Sequence, residues 1–286
     1  MDVRSKSPQR IVGWRRIANA LWHAPSDPQI YGMLEADARP VLAALDRLRA
    51  TGAHATPTHV VGKALAHTLA EVPELNVRLL GGRAVPHETV DVFFITAVDG
   101  GHDLSGVKIR RADEKSLRSV GEELDARSRE MKAGRDKEFS QTKHLTDSLP
   151  VPALRAALHV MAWIVGDHAK SVKALSLAAS PFGGGMVTSV GMLGIPMGFA
   201  PLAWMYRVPI LVLVGEMTDK PVAENGKVVV RTVLPLTFTV DHRYVDGWHL
   251  GRAMAAFRAY MAAPEAFDAE LKPPQAAEDS QPATSR

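Results

Sequence analysis

The sequence predicts one α/β domain carrying a helical insertion. Two observations predict it. Strand-like and helix-like segments mix along the chain with no linker-like boundary, and the stretch 141–185 interrupts them with the apolar run AALHVMAWIV. The 286 residues would allow two domains of about 150, but one enlarged α/β domain of roughly 250 is equally allowed. Hydrophobic content of 46% and charged content of 23% supply an ordinary globular core.

The elements follow in order. Residues 1–9 read as a loose polar arm. IVGWRRIANALW (11–22) has helical spacing and stops at Pro25 and Pro28. QIYGMLEADA (29–38) alternates as a strand, and VLAALDRLRA (41–50) is an amphipathic helix. A third helix over 56–76 stops near Pro73. VRLLGGRAVP (77–86) reads as a hairpin about Gly81-Gly82, and VDVFFITAV (90–98) as a buried strand. Residues 107–134 begin as a strand and become a charged helix. Within 141–185 the apolar run is too short to span a bilayer, and its expected place is burial against the parent domain, with a docking helix as the alternative. MVTSVGMLG (186–194), PILVLVGEM (209–217) and KVVVRTVLPLTFTV (227–240) are strand runs, with Glu224-Asn225-Gly226 as a hairpin turn. HLGRAMAAFRAYMAA (249–263) is a helix, and 269–286 is a polar, proline-bearing tail expected to be disordered.

Composition excludes several classes. A net charge of +3 without a long basic run argues against nucleic-acid binding. With no cysteine there is no disulfide, no thiolate zinc site and no catalytic thiol. MDVRSKSPQR lacks the apolar core of a signal peptide, and no window holds 18 consecutive apolar residues, so the expectation is a soluble cytoplasmic protein with no membrane span.

The chemistry concentrates in TVDHRYVDGWHLGR (239–252), where a β-prone run gives way to a helix. His242 sits there with Asp241, Asp246 and Gly247. Alone, Asp-Gly is a common turn signal and a lone histidine is more often structural than catalytic. His249 extends the pattern to HxxxDGxH, which matches no familiar metal site, so no metal is expected.

Read with its context, the segment resembles the active-site segment of the chloramphenicol acetyltransferase superfamily, which includes the catalytic domains of 2-oxoacid dehydrogenase dihydrolipoyl acyltransferases. KALAHTLAEVPELN (63–76), VDVFFITAVDGGHDLSGVKIRRADEKSLRSVGEEL (90–124), MVTSVGMLGI with GFAPL (186–202) and the run 208–247 are similar to successive stretches of that domain. The resemblance spans about residues 10–268, excepting an insertion at 141–182. It implies a two-layer sandwich, a mixed sheet with helices packed on it.

It also implies acyl transfer between coenzyme A and a thiol of dihydrolipoyl type or another small acceptor. A thiol with a pKa near or above ~8.5 needs a base, and a neutral imidazole suits that task. The resemblance gives this role to His242. It places the oxyanion donor on Thr188, with the adjacent Ser189 turned to the opposite face by strand alternation. Asp246 is expected as a buried orienter paired with an arginine of the first helix, Arg16 or its rival Arg15. Gly247 is expected to permit a tight turn and close helix approach; Asp241 is assigned to loop structure. Family members form trimers whose histidine and hydroxyl come from different chains, which implies a homotrimer or a higher assembly of trimers.

Three departures bear on substrate. No lipoyl domain, linker or subunit-binding domain is present, so a separate lipoyl carrier or dehydrogenase subunit, or a second CoA thioester, is expected. HDLSGVKIR (102–110) replaces the family's Gly-Leu-x-x-Pro-Val phrase. The insertion itself is the third. An alternative reading is a non-catalytic oligomeric scaffold that keeps the fold.

Overall fold

The computed structural model describes residues 28–98, 103–132, 150–172 and 178–272. The expected arm at 1–9, the helix at 11–22 with Arg15 and Arg16, and the tail beyond 272 lie outside the described residues.

Strand β1 (Gln29–Asp37) ends at an aspartate whose carboxylate accepts from Arg39 N at 2.9 Å. That cap starts helix α1 (Ala38–Ala50) three residues before its periodic run. Val41, Ala44, Leu45 and Leu48 form its buried stripe. Helix α2 (Pro57–Glu71) opens with Pro57 in its first turn and ends before Pro73. Strands β2 (Val77–Leu80) and β3 (Arg83–Pro86) form the expected hairpin as a separate small sheet. Then come β4 (Val92–Val98), β5 (Asp103–Ile109) and helix α3 (Leu117–Lys132). Helix α4 (Val151–Met161) runs into a wide π-helical turn, Ala162–Asp167. Strands β6 (Gly185–Ser189), β7 (Ile210–Val214), β8 (Thr218–Glu224) and β9 (Lys227–Asp241) precede helices α5 (Gly247–Ala262) and α6 (Pro264–Phe267).

The main sheet is mixed and has seven strands, ordered β1-β9-β7-β6-β4-β5, with β8 paired to the first half of β9. Pairs β4–β6 and β6–β7 are parallel; the others are antiparallel. The β8–β9 hairpin turns on Asn225 and Gly226, both at positive φ (51° and 76°), as a two-residue turn matched to strand twist requires. Pro221 is tolerated in β8 because that strand pairs on one side only.

Alternation splits each strand between two faces. Val187, Val212, Leu236, Phe238 and Val240 join the core under α1, α2 and α5. Met186, Leu211 and Leu213 face the other way and pack with Leu202 and Val208. That second face is covered by residues 195–208, held there by Thr237 and Thr239, whose hydroxyls donate to the carbonyls of Gly198 and Ala200. Burial on both faces explains why β7 reads ILVLV rather than alternating.

Three expectations need correction. The apolar run of the insertion is not buried: none of residues 152–161 is, and only Ala162, Val165 and Gly166 of the following turn are. Residues 195–208 already lie over the face behind β6 and β7, and α4 meets that cover at Trp204 instead of the sheet itself. The strand predicted over 186–194 stops at Ser189, because Val190 leads into a one-turn helix, Gly191–Leu193, closed by Gly194 at φ 71°. The disordered tail does not begin at 269. Ala269–Leu271 forms a helical turn, and Leu271 is fully buried. No helix of the described residues is long and apolar enough to cross a membrane.

Candidate active site

The turn after β9 is built from backbone hydrogen bonds to two neighbouring segments. Asp241 N donates to Pro209 O and His242 N donates to Pro28 O, both at 2.9 Å. The buried Asp241 carboxylate accepts from Arg243 N at 3.0 Å and receives the Arg243 guanidinium as well, closing an Asx-type turn. This is the loop-forming role expected of Asp241. Burial first, then the Asp241 carboxylate, pushes the neighbouring Tyr244 phenol up to about 12.

His242 itself is exposed, and among the described residues its ring has no hydrogen-bond partner. Thr188 lies in β6 on the face of Met186, opposite the helices, half-buried, with no partner for its hydroxyl among the described residues. Ser189 is turned to the Val187 side, as alternation requires. Thr188 aligns with Leu213, and Leu213 with Thr237. Asp241 is therefore four residues farther along and two strands away, about 13 Å along the sheet and about 10 Å across it. Within one chain the structure does not bring His242 and Thr188 together.

Asp246 departs from expectation. Its side chain is 61% exposed and does not reach the His242 ring. Instead it caps α5: its Oδ1 accepts from Trp248 N at 3.0 Å and His249 N at 3.3 Å, and stands 2.7 Å from His249 Nδ1. These donors, the His249 amide and ring first, hold its carboxyl below the usual range. The orphan amides of a helix start attract a carboxylate more strongly than a ring on the far side of the turn does. Gly247 also departs: its φ is not positive, and a Cβ there would meet nothing within 4 Å. It is the first residue of α5 and is not required for close approach within this chain. Arg16 lies outside the described residues.

Sequence reasoning missed two features, one near each candidate residue. Arg207 pairs bidentately with Asp167, at 2.7 and 3.2 Å. Exposed apolar side chains follow Thr188: Met192 and Leu193 are 85% and 71% exposed. Ion pairs distant in sequence leave no periodic signal, whereas the Gly-Met-Leu-Gly turn was a usable hint of exposure. No group of three or more His, Asp or Glu able to hold a metal occurs among the described residues.

Comparison with known proteins gives a consistent result. The family model for 2-oxoacid dehydrogenases acyltransferase (catalytic domain) matches residues 9–144 and 143–268. A dihydrolipoyllysine-residue acetyltransferase component of the pyruvate dehydrogenase complex from Rhizobium meliloti is 28% identical over 207 residues, 72% of this chain and 36% of that protein. The corresponding component of the acetoin cleaving system of Bacillus subtilis is 24% identical over 216 residues, 76% of this chain and 44% of that protein. This chain thus spans less than half the length of either relative. In fold it is similar to a probable dihydrolipoamide acetyltransferase of Listeria monocytogenes (TM-score 0.63, 19% identity, 93% of this chain and 97% of that one). It is similar also to the cubic core of a pyruvate dehydrogenase multienzyme complex (TM-score 0.63, 17% identity, 91% and 99%).

Proposed function

This chain belongs to the family of 2-oxoacid dehydrogenase acyltransferase catalytic domains, and from that premise we propose that it moves an acyl group between coenzyme A and a dihydrolipoyl-type thiol or other small acceptor. His242 takes the proton from the attacking thiol. The thiolate adds to the thioester carbonyl, and the Thr188 hydroxyl donates to the resulting oxyanion. Collapse expels the second thiolate, which recovers the proton from His242.

The observation that carries the reading is the separation of the two groups. His242 is an exposed imidazole at a strand end, and neither it nor the half-buried Thr188 hydroxyl has a hydrogen-bond partner among the described residues, yet one chain holds them too far apart to act together. A site completed by a neighbouring copy resolves this, and the exposed Met192 and Leu193 beside Thr188 supply apolar surface for such contact. The proposed unit is a homotrimer, served by a separate lipoyl carrier or dehydrogenase subunit. Asp246 then acts on the turn through the helix cap rather than by touching the ring.

The Azotobacter vinelandii dihydrolipoamide acetyltransferase was investigated for its catalytic mechanism at a serine, a histidine and an asparagine, residue types of which Thr188, His242 and Asp246 share only the histidine. Its histidine and asparagine are four residues apart, as His242 and Asp246 are.

Purified protein is expected to transfer acetyl or a longer acyl group from its CoA thioester to dihydrolipoamide. Absence of transfer with every acyl-CoA and thiol acceptor tried, from a protein that still assembles, would leave the scaffold reading in its place.

A further inference from the structure

Residues 150–172 touch the rest of the chain next to the His242 turn. Asp167, the last residue of the π-helical turn, forms the bidentate pair with Arg207, whose side chain is 23% exposed against 16% for Asp167. Asp167 also accepts Arg78 Nε through its backbone carbonyl at 3.1 Å. Arg207 is fixed from several sides. Its Nη1 donates to Trp204 O at 2.7 Å, and its guanidinium lies 5.9 Å from the Trp204 ring. Its backbone sits at φ 55°, a left-handed conformation that a non-glycine residue keeps only when its surroundings enforce it. The other face of this contact is apolar: the His159 ring of α4 stacks on Trp204, with centroids 3.9 Å apart. Gly166 is pressed so close that a Cβ there would stand 2.8 Å from Arg207 Cγ.

Arg207 is two residues from Pro209, whose carbonyl accepts the Asp241 amide. Trp204, Arg207, Pro28, Gln29, Asp241 and Arg243 line one small cleft, and Pro28 supplies the carbonyl that holds His242 N. Behind Asp241 at Arg243, and behind burial and Asp241 at Tyr244, the Asp167 carboxylate also favours the protonated forms of both side chains.

We propose that Asp167 and Arg207 form a clasp through which the 150–172 segment positions the His242 turn. Both are positioning residues: neither touches the ring. Only the consequence for rate rests on the acyltransferase reading. The positioning itself is read without activity.

The test is hydrogen–deuterium exchange of the assembled full-length protein, followed at the amides of residues 239–247, alongside steady-state kinetics. Asp167→Asn keeps shape and removes the charge. It is expected to speed exchange at the Asp241, His242 and Tyr244 amides about tenfold, to lower kcat about five- to tenfold and to leave KM for acyl-CoA unchanged. Gly166→Ala, which pushes on Arg207, is expected to do the same more weakly, and Asp167→Glu to recover part of both. Unchanged exchange at 239–247 in Asp167→Asn overturns the clasp, as does exchange that speeds equally throughout the chain. Faster exchange in a protein whose wild type transfers no acyl group supports the clasp and counts against the acyltransferase reading instead.

Discussion

Asp246 Oδ1 stands 2.7 Å from His249 Nδ1 and accepts the amides of Trp248 and His249, which makes this aspartate the cap of α5 in its own chain. A carboxamide oxygen can accept the same amides, whereas a methyl group cannot. Asp246→Ala is therefore expected to lower stability, and Asp246→Asn to lower it less. Urea unfolding of the two variants measures this. Equal losses would mean that the charge, not the cap, is what α5 needs.

The chemistry predicts unequal losses at the two proposed catalytic groups. His242→Ala is expected to cut acyl transfer by about 10²–10⁴-fold, the range for removing a general base. Thr188→Ala is expected to cost about 10²–10³-fold, as for an oxyanion donor. Neither side chain is engaged within the described chain, so both variants should fold normally; circular dichroism checks that. A fully active Thr188→Ala would return this threonine to an ordinary strand position.

The fold is expected to lose stability in mild acid. Burial pulls the His59 imidazole down to about 4, against which the Asp125 carboxylate acts only partly. The ring accepts the Thr56 amide at 3.2 Å, which also requires an unprotonated nitrogen. The unfolded chain binds a proton near 6.5 and the folded one near 4. Stability is thus full above pH 6.5, falls as the pH drops from 6.5 toward 4, and levels off below. The full effect is about 3 kcal/mol. Burial lowers His67 and His87 too, which adds in the same direction. Urea midpoints at pH 7.5 and 5 measure the fall. His59→Gln should flatten it, and an unchanged slope would assign the effect to other groups.

The C-terminal turn is structural. The buried Asp268 carboxylate accepts Leu117 N at 2.6 Å at the start of α3, and Leu271 is fully buried with its carbonyl receiving Arg47 at 2.9 Å. Leu271→Ala is expected to cost about 2–5 kcal/mol and Asp268→Ala about 1–3 kcal/mol, the latter by leaving the Leu117 amide without an acceptor. Differential scanning calorimetry decides. Midpoints within one degree of wild type would show that this turn is not part of the core.

What the sequence showed and what it hid divide along physical lines. β1, the α2 helix ending at the Pro-Glu-Leu-Asn phrase, the Gly81-Gly82 and Asn225-Gly226 hairpins and α5 all announce themselves by local period or turn chemistry. The cap by Asp246 was missed, because the sequence reading started the helix at His249 and gave Asp246 to the histidine. Helix α4 was misplaced because hydrophobicity reports what a segment could bury, not which surface of the domain it meets. The Asp167–Arg207 pair joins positions 40 apart in sequence and was invisible to any local rule. The distance between His242 and Thr188 depends on strand order, which no single segment encodes.

The most direct test of the account asks whether those two groups act from different chains. His242→Ala and Thr188→Ala proteins, each nearly inactive, are unfolded together in equal amounts and reassembled. If the site joins neighbouring copies, about a quarter of the sites in random mixed rings pair an intact histidine with an intact threonine, so roughly a quarter of wild-type activity returns. Activity that stays at the level of the separate variants, in assemblies shown by mass to be mixed, would contradict the shared site.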